Sequence, residues 1–375
     1  MIDYLTITVL LVIAVVAQFV SLRFGISVAI IEILLGIFIG NGLGIRAADK
    51  DWLVFLAAIA GVILTFLAGA EVDNDALRRN LRPSLLVGAA SFFAPFIACT
   101  LASYILLGWS WESSMLVGVA LSETSVAIVY IVLVEGGRSK TPVGSLVLCA
   151  CFITDLSASI ALCVLFVTPG IYLVGLIGAL VLLVIFGPRL VDWCFRVLQG
   201  RSGEPEVKVV LLLVMLLAAL ATVAGVSAVL PAYVLGLIMS RSLTKNPQAM
   251  LHMRTALMAF LGSFFFISAG MNVQLAAVYV GIIPLLVLFG VRLASKLAGV
   301  GFMGRKYVDG PVHYISWLMA TALSFGVIFA QAGLASNLIS SDQFSVLVMV
   351  IVMSAVIPTL VAQRAFDPWG EKNGQ

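Results

Sequence analysis

Apolar residues run along this chain in blocks of about twenty, each closed by a short cluster of glycine, proline or charge. About twenty apolar residues let one α-helix cross the hydrocarbon of a bilayer. Thirteen such windows follow one another, at about 4–22, 26–45, 52–70, 83–107, 113–136, 142–168, 170–188, 207–225, 227–241, 254–272, 276–303, 311–335 and 343–363. Several are long enough to tilt or break, and the ninth is short enough to need protein around it. The pattern predicts an all-α polytopic membrane protein, a single domain over 1–375 with about 13 transmembrane helices and no extramembrane domain. The longest polar break, 200–207, follows the amphipathic stretch 189–198. Together they read as a cytoplasmic surface helix and a hinge joining two halves.

Composition agrees: 62% of the residues are hydrophobic and 10% charged, with mean hydropathy +1.18, against about 25% charged in a soluble domain. A net charge of +3 is too small to suggest nucleic acid, and the basic residues are sorted by side. After the odd windows stand Arg23, Arg78, Arg79, Arg82, Arg138, Lys140, Arg189, Arg196, Arg201, Lys208, Arg241, Lys245, Arg254, Arg305, Lys306, Arg364 and Lys372. After the even windows stand only Arg46 and Lys50. Positive charge marks the cytoplasmic side, so the N-terminus is expected outside and the C-terminus inside, in the cell (inner) membrane. The N-terminal run has no basic start and no small-residue cleavage site, and reads as a retained helix. The five cysteines, Cys99, Cys149, Cys151, Cys163 and Cys194, lie in or beside apolar windows and read as small buried hydrophobes. With only His252 and His313 as imidazoles, a transition-metal site is not expected.

An internal repeat is visible. LGIFIG at 35–40 resembles LGLIMS at 235–240, FLAG at 66–69 resembles ISAG at 267–270, and Pro83 opening PSLLV resembles Pro284 opening PLLVL. All are offset by about 200 residues. The matching windows differ by an odd number in order, so the second copy would be inverted, as in transporters that bind substrate near the midplane.

Five ionisable residues lie within or against windows and away from their ends, Glu32, Glu123, Asp155, Arg292 and Lys296, while Glu135 sits at a span end. A charge at mid-bilayer costs about 2.5–3.5 kcal/mol on insertion scales and is by default a functional site. Asp155, in the middle of LVLCACFITDLSASIALCVLF, is the first candidate for a functional carboxylate, and Thr154, Ser157 and Ser159 around it could line an ion path. Glu32, beside Gly36 and Gly40, reads as a packing or interface group, and Glu71 as a wet residue at a span end. Arg292 and Lys296 share a helical face, so at least one should meet a carboxylate or reach a span end. Lysine is the better titrating candidate, since arginine stays charged. Ser122, Glu123, Thr124 and Ser125 in mid-window are poor material for a continuous helix, as is TALSFG at 321–326, their counterpart at the repeat offset. Two interrupted helices in matching positions point to a central site.

The chain resembles the membrane domain of the monovalent cation:proton antiporter superfamily, in its Kef-like and Nap-like branch. The motifs are EILLGIFIGNGLG at 32–44, FLAGAEVD at 66–73, TSVAIVYIVLVEGG at 124–137, FITDLSASIAL at 152–162, FFFISAGMNV at 264–273, KLAGVG at 296–301 and IPTLVAQRAF at 357–366. The resemblance implies a Na+/H+ antiporter-like fold with two crossed discontinuous helices, a homodimer, and an elevator-like displacement. It implies a scaffold at about 1–75 and 207–275, a mobile core at about 83–168 and 276–363, and a linker helix and hinge at 169–206. Asp155 would bind the monovalent cation and the proton, Thr124 and Ser125 would lie at the helix break, and Lys296, with Arg292, would supply supporting positive charge. The family usually carries Asn, Gln or Asp before this aspartate, where this chain has Thr154. One carboxylate suggests one cation per proton with no net charge moved. Glu123, at a position usually small in the family, is a candidate to replace the missing partner, although a structural pair with Arg292 or Lys296 is favoured.

The expected activity is therefore exchange of Na+ or K+ for H+, with no cofactor and no enzymatic chemistry. The rivals are a Kef-like gated K+ channel and an organic-anion symporter on a similar inverted-repeat fold. A separate regulatory subunit is neither required nor excluded.

Overall fold

A computed structural model of the chain describes residues 4–24, 27–72, 81–135, 138, 141–166, 171–198, 205–225, 227–245, 247–308 and 310–365. Among these are seventeen α-helices and no strand. In chain order they are α1 Tyr4–Phe24, α2 Val28–Gly42, α3 Asp51–Ala70, α4 Leu81–Leu101, α5 Trp111–Ser122, α6 Val126–Glu135, α7 Pro142–Phe166, α8 Ile171–Leu198 and α9 Pro205–Val223. They continue with α10 Val229–Lys245, α11 Pro247–Leu257, α12 Ser263–Met271, α13 Leu275–Val280, α14 Ile282–Tyr307, α15 Val312–Leu318, α16 Ser324–Ala335 and α17 Ser341–Ala365. A π-helical turn, Ala102–Leu106, extends α4, and another, Met258–Gly262, joins α11 to α12.

Helix occupies each of the thirteen apolar windows. Among the described residues, eight stretches are long and apolar enough to cross a membrane: Tyr4–Phe24, Asp51–Ala70, Leu81–Leu106, Trp111–Leu133, Pro142–Leu165, Met253–Met271, Ile282–Tyr307 and Ser341–Arg364. Val28–Gly42, Val174–Arg189, Val207–Val223, Val229–Arg241 and Ser324–Ala335 are apolar but shorter. The chain is thus a multi-pass membrane protein, while thirteen crossings do not follow from length and composition. The stretch 189–198 forms no helix of its own, because α8 continues through Pro188 to Leu198. Residues 200–204 of the expected hinge, and Arg78, Arg79, Lys140, Arg201 and Lys372, lie outside the described residues.

Helix starts carry local signals. Ser110 accepts from the Ser113 amide at 3.1 Å to start α5, and Thr141 from the Gly144 amide at 3.1 Å to start α7. At α17 the pairing is reciprocal: the Gln343 amide donates to the Ser340 hydroxyl at 3.2 Å, and the Ser340 amide to the Gln343 side chain at 2.9 Å. Each supplies acceptors to first-turn amides that the helix leaves unbonded. The described cysteine side chains, Cys99, Cys149, Cys151 and Cys163, carry free thiols, the first three buried.

The chain divides into two compact units. One comprises Met1–Phe55, Ala76–Ala158 and Phe266–Gln375, the other Leu56–Asp75 and Ser159–Phe265. In the second, Ile63, Phe66 and Leu67 of α3 pack with Val210 and Val214 of α9, Leu235 and Met239 of α10, and Met253 and Leu257 of α11. A Cβ on Gly236 would strike the Phe66 carbonyl, so α3 and α10 touch backbone to backbone. In the first unit, α2 and α12 do the same: a Cβ on Gly36 would strike the Ile267 carbonyl, and one on Gly270 the Ile33 carbonyl. Small residues permit such approach between apolar helices. The first unit also contains α4 packed along α14, and α5 packed against α16.

Candidate functional site

The site lies in the first unit, where two helical segments stop and restart. Between α5 and α6 the backbone leaves the helix at Glu123, with φ −65° and ψ 163°. Between α15 and α16 it is irregular over 321–323. Both stops use the same local chemistry. The Ser122 hydroxyl donates to the Val119 carbonyl at 2.8 Å, and the Thr321 hydroxyl to the Leu318 carbonyl at 3.0 Å. Hydroxyls offering the backbone this alternative loosen a helix.

The two breaks are joined to each other. The Ser125 amide donates to the Thr321 carbonyl at 3.2 Å, and the Thr124 hydroxyl to the Met319 carbonyl at 3.1 Å. One oxygen of the Glu123 carboxylate accepts from the Leu323 amide at 2.5 Å and the Gly326 amide at 3.3 Å. All of these groups are buried, Glu123 at 1% exposure.

α14 contributes Arg292 and Lys296, its two mid-helix basic residues, each fully buried. The Arg292 guanidinium donates to the Ala320 carbonyl at 2.5 Å and to the Glu123 carbonyl at 3.3 Å. It thereby serves the C-terminal ends of both α15 and α5, where helix carbonyls carry partial negative charge. Lys296 donates to the hydroxyls of Ser91 at 2.9 Å and Thr124 at 2.7 Å. Repulsion between like charges one turn apart is thus met by helix ends and hydroxyls.

Asp155 reaches this assembly through α4. Ser84, Gly88 and Ser91 lie three or four residues apart, on one helical face. Ser84 donates to the Leu146 carbonyl of α7 at 3.4 Å. One turn on, Gly88 has no room for a Cβ beside Ala150 and Ile153. The next turn of α4 carries Ser91, which accepts from Lys296 at 2.9 Å and lies 3.4 Å from the Thr124 hydroxyl. Glu123 and Lys296 are the charges that act on Asp155. Asp155 is 1% exposed, and its Oδ1 is buried with no hydrogen-bond partner; the Ser125 hydroxyl and Arg292 Nε are in the same condition. A dry ionised oxygen left unpaired is costly, and a bound proton or cation removes that cost.

Of the residues singled out in sequence, Glu123, Thr124, Ser125, Asp155, Arg292 and Lys296 therefore gather in one unit. Thr154 gives its proton to its own helix, at the Ala150 and Cys151 carbonyls, 3.2 and 2.6 Å away. Glu32 is buried on α2, one turn before Gly36. Glu71, just beyond α3, forms an ion pair of 3.3 Å with Arg254, both partly exposed. Sequence reasoning did not find Ser91, nor the carbonyls and amides of 319–326 that complete the site. Ser91 could have been found as a small polar residue in α4 about 200 positions before the α14 cations.

A model of the family described as sodium/hydrogen exchanger, transmembrane, matches residues 8–366. A Na(+)/H(+) antiporter of Enterococcus hirae is 26% identical over 375 residues, covering 94% of this chain and 95% of the relative. The Na(+)/H(+)-K(+) antiporter GerN of Bacillus cereus is 24% identical over 360 residues, covering 92% of each chain. Among solved structures, the sodium proton antiporter MjNhaP1 of Methanocaldococcus jannaschii matches with a TM-score of 0.73 at 17% identity, over 97% of this chain and 95% of that one. That likeness establishes the fold.

Proposed function

The chain belongs to the sodium/hydrogen exchanger family, and from that premise we propose that it exchanges Na+ or K+ for H+ across the membrane. The observation that carries this reading is Asp155, a buried carboxylate with a bare oxygen beside two joined helix breaks. Asp155 takes either a proton or, ionised, a partly dehydrated cation, with the Ser125 hydroxyl the nearest unengaged oxygen in sequence at the break. Thr124 is committed to Lys296 and Met319 and shapes the site. One carboxylate cannot hold both cargoes, and neither form crosses with a bare charge. That exclusion is the coupling, and no cofactor enters it.

The same reading includes thirteen crossings, the N-terminus outside and the C-terminus in the cytoplasm. The two halves form an inverted repeat and cross at their broken helices. Recurring bounds support this: α7 and α17, Pro142–Phe166 and Ser341–Ala365, are offset by about 200 residues, as are α4 with its π turn and α14. The close approaches support it too, since Gly36 against α12 and Gly236 against α3 are counterparts at that offset. The protein works as a homodimer, with the core at about 83–168 and 276–363 moving against the scaffold at about 1–75 and 207–275.

The test is a pH gradient across proteoliposomes, with Na+, K+ and Li+ added in turn. Dissipation by at least one cation, saturating with its concentration, is expected. A gradient indifferent to all three would overturn the reading.

A further inference from the structure

The N-terminus of α16 has no cap of its own. Its capping position is Leu323, at φ −158° and ψ −79°, whose side chain has nothing to accept a hydrogen bond. Helix N-caps ordinarily supply an oxygen to the amide three residues on, here that of Gly326. In a dry interior these first-turn amides need an acceptor from elsewhere.

We propose that Glu123 is a positioning residue of the transport site, capping α16 from the opposite break and so holding both breaks in the geometry that Asp155 faces. One side-chain oxygen receives both the Leu323 and the Gly326 amides. The same residue's carbonyl receives Arg292, which also binds Ala320. Residue 123 therefore fastens the end of α5, the end of α15 and the start of α16 together. The space is fitted to it: a Cβ at Gly326 would lie 3.2 Å from this oxygen, 3.1 Å from the Ala120 carbonyl and 3.0 Å from Ile351. The contrast with Asp155 separates their roles. The capping oxygen of Glu123 is engaged twice by backbone, whereas Asp155 Oδ1 is engaged by nothing. Glu123 is accordingly framework and not cargo carrier, and an acceptor of the same length does its work without the charge.

This inference rests on the antiport reading, so the experiment carries an arm for each. Glu123→Gln, Glu123→Ala, Gly326→Ala and Asp155→Asn are reconstituted alongside the parent, and cation-dependent proton flux is measured per folded protein. Glutamine keeps the acceptor and alanine removes it. Glu123→Gln is expected to exchange at least about ten-fold faster than Glu123→Ala, a ratio typical of one lost buried hydrogen bond. Gly326→Ala, which crowds the capping oxygen, is expected to raise the cation KM above the parent's. Glu123→Gln as slow as Asp155→Asn would make Glu123 a proton carrier and overturn the proposal. Glu123→Ala exchanging at the parent rate would overturn it too, by removing the need for a cap. Should Glu123→Ala fail to fold, a parent-like KM in Gly326→Ala overturns it. Should Asp155→Asn exchange like the parent, it is the antiport reading that falls.

Discussion

At the scale of single residues, what sequence reveals best is a charge where none should be. Asp155 stands out because apolar residues flank it for about three turns on either side, and burying a charge there has to be repaid by function. We expect Asp155→Asn to fold and to abolish exchange, because the amide keeps the shape and removes titration. More than a small fraction of parental flux would contradict its role. What the sequence hides is who answers each charge. Arg292 and Lys296 show their shared face through their spacing, but their partners are two hydroxyls and two carbonyls contributed by α4, the α5–α6 break and the α15–α16 break. Backbone groups are present at every position and leave no mark in the residue pattern. From those partners, Lys296→Met removes a buried donor from the hydroxyls of Ser91 and Thr124 and is expected to cost about 1–3 kcal/mol. That would appear as a melting temperature lower by several degrees, with the Na+/K+ preference unchanged. A reversed preference at an unchanged melting temperature would show Lys296 acting on the cation itself.

At the scale of elements, the breaks were legible and the lengths were not. SETS at 122–125 and TALSFG at 321–326 announce interruptions because hydroxyls and glycine weaken a helix wherever it lies, and both sites are interrupted. The stretch 189–198 looked separate because its polarity changes, yet polarity reports surroundings and not backbone continuity, and α8 runs on. Likewise 276–303 reads as one span, while the helix restarts at Gly281 between α13 and α14. The meeting of α2 with α12 is a different kind of signal, since glycine one turn apart on an apolar helix suggests a contact without naming the partner. Gly36→Leu should force these backbones apart, and overpacking of this kind costs about 1–3 kcal/mol. Gly290→Ala, on α14, meets nothing within 4 Å and is the control, expected to be neutral or stabilising. Thermal unfolding in detergent distinguishes the two, and equal melting temperatures would remove the close crossing from the account of the fold.

For the whole molecule, the four charges at the breaks set the electrical balance of transport. Arg292 is held by the ends of two helices, Glu123 by the start of a third, and Lys296 by two hydroxyls. All of these partners belong to the first unit. Of the two carboxylates here, Asp155 is the one with a buried oxygen that nothing engages, and on the proposed reading each cycle would carry one monovalent cation one way and one proton the other. No net charge would then move, and an imposed membrane potential would have nothing to act on. The measurement is decisive because the alternative is large: one elementary charge moved per cycle through 100 mV is worth about 2.3 kcal/mol, roughly fifty-fold in the gradient reached at equilibrium. We expect the limiting cation gradient at fixed pH difference to be the same at zero potential and at about 100 mV of either sign. Valinomycin sets that potential where K+ is not a substrate, and another ionophore where it is. A shift toward fifty-fold would mean a second transported charge. Lys296 would be the first group to examine, because its hydroxyl partners, unlike a helix end, accept a proton donor without requiring it to stay charged.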